Sequence, residues 1–407
     1  MKYPRVILLL SLSLILAMLF SACAPTELQE LSREELFSLQ IGKMDNQIDL
    51  FQIGGVMVGA KNRVYMRDGL FYIANGNSAK IMELTSYGDL IFLLYNTAEN
   101  PAPTSFQSAE SEGLAATRRA VAYPLRRIGE LVVDGSKRIY VEEGVSEERQ
   151  VRDSQLKVVL DRVILRFDRH GELLDFIGQE GVGGTPFPYI DSLYITDLDE
   201  LVVVCRTPKF WHVYWYSPEG VLRYQVDIDQ EHLPLYDESG ESVSTLGRIV
   251  PDRRDALLHM MIYTFVESAE IGQSESYSTR IYHLSMDSGR YEGYIEVPQN
   301  GIRVERIGTQ DVEVPAPSFE LLGINSSGDF YLLRREEANL FQLLILTGAG
   351  REAARRSIVM EDAELFFKYI RLSSEGILYG VLGQEYEATI VWWRSDRLLR
   401  EEEGEGS

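Results

Sequence analysis

The side chains that could do chemistry are few and scattered. The chain has five histidines, His170, His212, His232, His259 and His283. A metal site built on one element presents imidazoles at a short fixed spacing such as His-x-x-x-His, and no pair here has one. No catalytic set and no metal-ligand set can be named from these residues. The two cysteines are Cys23 and Cys205. Cys205 closes the apolar run LVVVC and reads as a buried free thiol, since no neighbouring residue would lower its pKa. The run GQEGVGG, Gly178 to Gly184, has the glycine content of a phosphate loop. Its spacing fits neither a Walker loop nor a dinucleotide fingerprint, and no helix follows to supply an N-terminus. It reads as a connection. Asp197-Leu198-Asp199 and Asp252-Arg253-Arg254-Asp255 offer oxygen ligands but lack the ligand run of an EF-hand loop. Turn formation accounts for them, and calcium is the one cofactor they leave open.

These residues sit in a chain patterned for strands. From Phe37 onwards, apolar residues alternate in short runs bounded by Gly, Asp, Asn and Ser, which is strand periodicity at the spacing of an all-β domain. No long stretch of the body has helical periodicity, and the best candidate is Glu361 to Tyr369. A strand, a polar turn ending in Gly and a second strand recur: ILRFDRHGELLDFIG and VYWYSPEGVLRY are the clearest copies. Aligning such turns divides the chain into six units of four strands, a, b, c and d. In Phe210 to Tyr216 (FWHVYWY), alternation puts Phe210, His212, Tyr214 and Tyr216 on one face and Trp211, Val213 and Trp215 on the other. Aromatics on both faces suit a sheet that packs on both sides.

Six four-stranded units predict a six-bladed β-propeller of antiparallel blades, which hides its sheet edges by closing radially. The units resemble NHL-type propeller repeats. VVDGSKRIYVEE and VILRFDRHGELLDFIG carry the likeness through their Asp-Gly turn, Ile-Tyr-Val strand and Phe-Asp-x-x-Gly ending. LFSLQIG, Leu36 to Gly42, resembles the strand d LLDFIG. A lone strand d ahead of the first unit predicts a ring closed by Phe37–Ile41 pairing beside Thr389–Trp393. The expected domain is 37–400, followed by an acidic tail at 401–407.

The N-terminus reads as an export signal. Lys2 and Arg5 precede an apolar run from Val6 to Phe20, then Ser21, Ala22 and Cys23. The run is short for a spanning helix. Phe20-Ser21-Ala22-Cys23 resembles a bacterial lipobox, although Phe20 stands where that pattern prefers Leu. The resemblance implies a signal peptide over 1–22, a diacylated Cys23 and a short acidic tether over 23–36. The acyl chains, palmitate or similar, would give stable anchoring. By the same resemblance, Ala24 in place of Asp after the cysteine implies the outer membrane, at its periplasmic or surface face, over the inner one.

Composition and loop lengths bear on function. A formal net charge of −22 over 407 residues argues against nucleic acid or an anionic membrane surface as partner. Five long insertions, Asn96–Arg127, Gly144–Lys157, Asp229–Leu246, Glu267–Ser278 and Pro298–Pro317, fall at b–c or d–a connections, which share one face of a propeller. Long loops on a rigid scaffold commonly carry binding. The candidate binding residues on that face are Asn75, Asn77, Arg118, Arg119, Arg126, Arg127, Arg206, Lys209, Phe210 and Tyr277. The reading is a lipid-anchored envelope module that binds or scaffolds another envelope protein or a small ligand. The alternative is a propeller hydrolase or lyase with a central divalent metal.

Overall fold

The structure, a computed structural model, describes residues 28–50, 60–106, 118–234, 242–267, 274–298, 302–307, 310–315 and 317–399. The signal segment, Cys23 and the acidic tail lie outside them. Six antiparallel sheets follow one another along the chain. Strands a to d of blade one are Asn62–Arg67, Leu70–Asn75, Lys80–Leu84 and Leu90–Tyr95. Blade two has Ile128–Val133, Ile139–Gly144, Arg162–Phe167 and Leu173–Gly178. Blade three has Tyr189–Ile195, Leu201–Arg206, Phe210–Tyr216 and Leu222–Asp229. Blade four has Ser242–Pro251, Leu257–Glu267, Ser274–Ser285 and Tyr291–Glu296. Blade five has Glu320–Ile324, Phe330–Arg335, Leu340–Leu346 and Glu352–Val359. Blade six has Phe367–Leu372, Leu378–Gly383, Glu387–Trp393 and, from the other end of the chain, Arg33–Gln40.

That last pairing closes the ring. Arg33–Gln40 runs antiparallel to Glu387–Trp393, with Ser38 opposite Thr389 and Leu39 opposite Ala388. The expected closure is therefore observed, and it begins four residues earlier than predicted. Six hydrophobic clusters fill the six seams between neighbouring blades. Strand alternation distributes side chains between seams. In blade two, Leu131 and Val133 pack towards blade one while Val132 packs towards blade three. The aromatic run behaves the same way. Tyr214 and Tyr216 face blade two around Phe187, and Trp211, Val213 and Trp215 face blade four.

The turns that identified the repeat also carry its local chemistry. In c–d turns, a side-chain oxygen caps the backbone two and four residues on: Thr85 takes Tyr87 and Asp89 N–H, and Asp168 takes His170 and Glu172 N–H. Such self-bonding is why these turns favour Ser, Thr and Asp. The glycine that ends them adopts φ of +85° at Gly88, +83° at Gly171 and +87° at Gly220, which only glycine takes without strain.

Three expectations need correction. Glu361–Tyr369 is not a helix: a 3-10 turn covers Asp362–Glu364, and strand a of blade six starts at Phe367, where its residues begin to alternate. The strands of blade four extend into their predicted loops, because Ser242–Leu246 and Ser274–Ser278 belong to strands a and c. The insertion after blade one does not stay on one face. Arg119–Ala122 returns along the outer edge of blade one as a fifth strand parallel to strand d.

Candidate binding site at the mouth of the axial channel

The innermost strand of each blade faces the propeller axis. Every strand a enters from the face that carries the b–c and d–a connections, so its first residues line that mouth. Its last residues line the opposite mouth, made of short a–b and c–d turns. In blades two to five, strand a slips register once, between Ile128 and Leu131, Ile190 and Ser192, Leu246 and Arg248, and Leu321 and Gly323. Bulges of this kind re-aim side chains and are common beside functional sites. Here they bring Glu130, Asp191, Arg248 and Leu322 to the axis, to join Lys61, Arg63 and Tyr65 of blade one and Tyr369 and Arg371 of blade six.

These groups form a linked cluster. Lys61 Nζ lies 2.8 Å from Glu142 Oε2 and 3.5 Å from Glu130 Oε1, and it donates to Ile190 O at 2.6 Å. One ammonium thus ties three blades. Arg63 Nε donates to Glu130 Oε1 at 2.7 Å, and its guanidinium lies 4.7 Å from the Tyr369 ring centroid. Glu142 Oε2 also accepts from Glu130 N at 2.9 Å. Lys61 stands 4.6 Å from the centre of the exposed Tyr189 ring at the rim. Next to it, Arg206 lies 5.2 Å over Trp211.

Burial and charge compete across this cluster. Burial alone would raise Glu130, yet Arg63, Lys61 and Arg371 hold its carboxyl below the usual range. Burial would lower Lys61, and Glu142 and Glu130 overcome it to raise the ammonium. Asp191 goes the other way. Burial and nearby Glu130 raise it, against the opposing pull of Arg248, Lys61 and Arg206. Asp191 makes no hydrogen bond or ion pair to the described residues. Glu143, behind the mouth, is pushed up to about 7 by burial despite accepting from Arg126 N at 2.8 Å. Its second oxygen is enclosed without a partner.

The opposite mouth differs. Arg371 crosses the axis from blade six and donates to Leu193 O at 3.1 Å and Leu131 O at 3.4 Å, on blades three and two. Below it lies a cavity of about 50 Å³ bounded by Tyr65, Tyr194, Pro251, Leu322 and Ser373. Tyr194 stitches the same ring, donating to Ile249 O at 3.0 Å; Arg248, nearer the long-loop mouth, donates to Leu321 O at 2.9 Å.

The structure separates the predicted binding residues. Arg206, Lys209 and Phe210 lie together at the b–c turn of blade three, on the expected face beside the channel. Arg126 and Arg127 are exposed on that face, with Arg127 Nη2 3.0 Å from Asp161. Arg118 and Arg119 are not with them. Arg119 begins the edge strand and donates to His170 O at 3.4 Å, in a c–d turn of the opposite face. Asn75 is fully buried and structural: it bonds Asp49 N, Asp49 O and Asn62 Oδ1. Asn77 shares its turn and is half-buried. Tyr277 falls within strand c of blade four.

Reasoning from sequence missed the axial set because its members are distant in the chain and no two make a motif. A signal existed. Glu130, Asp191 and Arg248 are each the only charge in an innermost strand. The histidines were also read as unrelated, yet His259 and His283 are cross-strand neighbours in blade four with Nδ1 atoms 2.9 Å apart. Asp252 holds the far nitrogen of His259 at 3.2 Å. Burial beside His259 lowers His283 to about 4. Cys205 is a buried free thiol whose pKa burial pushes up, as expected. Among the described residues, no three His, Cys, Asp or Glu side chains gather in a metal-binding group.

No family model matches the chain, and neither does any curated protein. Among solved structures it is similar to the polysaccharide lyase Uly1, at 7% identity over 90% of this chain and 99% of that one, with a TM-score of 0.41. It is also similar to a luciferin-regenerating enzyme, at 7% identity over 88% and 94%, with a TM-score of 0.34. A protein of unknown function from Bacteroides caccae aligns at 10% identity over 79% and 93%, with a TM-score of 0.34. Likeness at this level concerns the path of the chain and says nothing about its chemistry.

Proposed function

We propose that the chain is a lipid-anchored cell-envelope module that binds or scaffolds a partner through its long-loop face, at the mouth of the axial channel. The observation that carries this reading is the convergence there of Lys61, Arg63, Glu130, Asp191 and Arg248 from four blades, beside the exposed Tyr189 and Arg206. Charged side chains cost free energy to bring together out of water, and an apolar axis would hold a propeller shut without them. Long connections framing that mouth supply the adaptable rim on which binding commonly resides. The channel's own ammonium and guanidinium groups occupy Glu130 and Glu142, which favours an anionic or mixed-charge ligand over a bound cation.

The anchoring half of the reading rests on Cys23 and the apolar run before it. Cys23→Ser should move the protein from the membrane fraction to the soluble envelope fraction, and continued membrane retention of a signal-cleaved variant would sink the anchor. For the binding half, the full chain is compared with variants shortened over residues 107–117 and 268–273. Loss from either variant of a partner that the full chain captures, with thermal unfolding unchanged, supports the face; undiminished capture by both removes it.

A further inference from the structure

The chain carries a net charge of −22, yet its axis has the opposite balance. Lys61, Arg63, Arg248 and Arg371 face it against Glu130 and Asp191, with Glu142 behind. A cationic well inside an acidic molecule, walled by low-dielectric blades, focuses field lines and draws anions to one place. Much of the well is already engaged. Glu130 takes Arg63 and Lys61, Glu142 takes Lys61, and Arg371 is spent on the Leu131 and Leu193 carbonyls. What is left open lies at the long-loop mouth. Arg206 is exposed, stacks on Trp211 and has no hydrogen bond to the described residues. Arg248 uses Nη1 for the Leu321 and Leu322 carbonyls, makes no other hydrogen bond to the described residues, and its charge acts on Asp191. Between them Asp191, bulged out of its ladder, has no hydrogen-bond partner, and neighbouring Ser192 Oγ is buried with none.

We propose that this mouth, where Arg206, Arg248 and Lys61 surround Asp191, is a binding site for a small organic carboxylate. Planar guanidinium forks match a carboxylate in a two-point contact, and a stacked guanidinium is already oriented for one. The Asp191 carboxyl sets the choice among anions. It repels a fully ionised ligand such as sulfate, but it can share one proton with a second carboxyl, turning repulsion into a short O–H···O⁻ hydrogen bond. Burial already inclines Asp191 to hold that proton. The titratable and charged groups acting on it are Arg248 from blade four, Glu130 from blade two, Lys61 from blade one and Arg206 from its own blade, with the buried Cys205 thiol behind. Of the two carboxyls here, Glu130 is paired with Arg63 and Lys61, and Asp191 has no partner among the described residues. Binding therefore takes up a proton, and affinity rises as pH falls.

The inference rests on the long-loop face being the working face, but it fails separately. A chain that still captures its partner and takes no carboxylate removes this site alone. The test is isothermal titration of the full soluble chain (Cys23→Ser) with succinate, glucuronate and sulfate between pH 5.5 and 8. Succinate or glucuronate should bind with one site per chain, at least tenfold tighter than sulfate, and weaken by up to tenfold per pH unit on going up. Arg206→Met, an exposed change that leaves folding intact, should weaken binding tenfold or more. Asp191→Asn should abolish the pH dependence while the unfolding temperature stays unchanged. Equal affinity for sulfate, an undisturbed Arg206→Met, or no heat with any carboxylate would overturn the proposal.

Discussion

The two mouths of the axial channel are built from the same six strands and differ in what their side chains are for. At the short-turn mouth, polar groups end on backbone: Arg371 on Leu131 and Leu193, Tyr194 on Ile249. These are bonds between blades, and they close the ring. At the long-loop mouth, side chains also meet one another or nothing: Lys61 reaches Glu142 and Glu130 as well as Ile190 O, and Asp191 has no partner among the described residues. The same split appears in the titrating groups. Glu143, near the long-loop mouth, is raised to about 7, while His283, near the short turns, is lowered to about 4. One end of the propeller thus carries bonds between blades, and the other gathers the charges on which the proposed binding rests.

The largest effect should follow from removing the crossing arginine. Arg371→Leu strips two buried carbonyls of their donor and leaves Glu130 less neutralised, and thermal unfolding should show a loss of about 3–5 kcal/mol. A loss below about 1 kcal/mol would deny the short-turn mouth its structural role. Lys61→Met should cost roughly 3 kcal/mol, because it strands Glu142 and Glu130 without their ammonium. Adding Glu142→Gln should recover part of that loss, which a double-mutant cycle would read directly.

The titrating groups set a smaller test with opposite signs at the two ends. His283 has a folded pKa below its unfolded value, so its contribution is intact above about 6.5 and is lost as pH falls towards about 4. Glu143 has a folded pKa above its unfolded value, so its ionisation removes stability as pH rises from about 4.5 through about 7. The wild type should therefore show a shallow pH profile. His283→Gln should flatten the acid side by roughly 1–2 kcal/mol, a figure reduced for the partial exposure of the ring. Glu143→Gln should gain about 1–3 kcal/mol at pH 8 and nothing at pH 4.5. Parallel shifts in both variants would contradict the assignment. The smallest stability effect belongs to Arg206→Ala, within about 0.5 kcal/mol of wild type, although it should weaken ligand binding.

Much of the fold was legible because it is repetitive and local. The turn that Asp168 caps and Gly171 ends, and its counterpart at Thr85 and Gly88, are written in adjacent residues. Their spacing gave strand order and the face of most connections, and the likeness of LFSLQIG to a strand d gave the closing strand. The site was barely legible, because it is assembled across blades. Lys61 meets Glu142 across 81 positions and Ile190 across 129, and no local pattern reports such a meeting. Arg119 shows the related failure. Its neighbours gave it the address of its loop, but an edge strand carried it to the other face. Asn75 had the composition of an exposed turn and is buried because residues 48–50 fold back over it.

The proposed division of labour between the two mouths is best tested by placing one photo-crosslinking side chain at position 206 or at position 374 of the full chain in the cells that make it. The account predicts specific adducts from position 206, at the long-loop mouth, and none above background from position 374, in the short turns. Equal labelling from both positions, or labelling from position 374 alone, would contradict it.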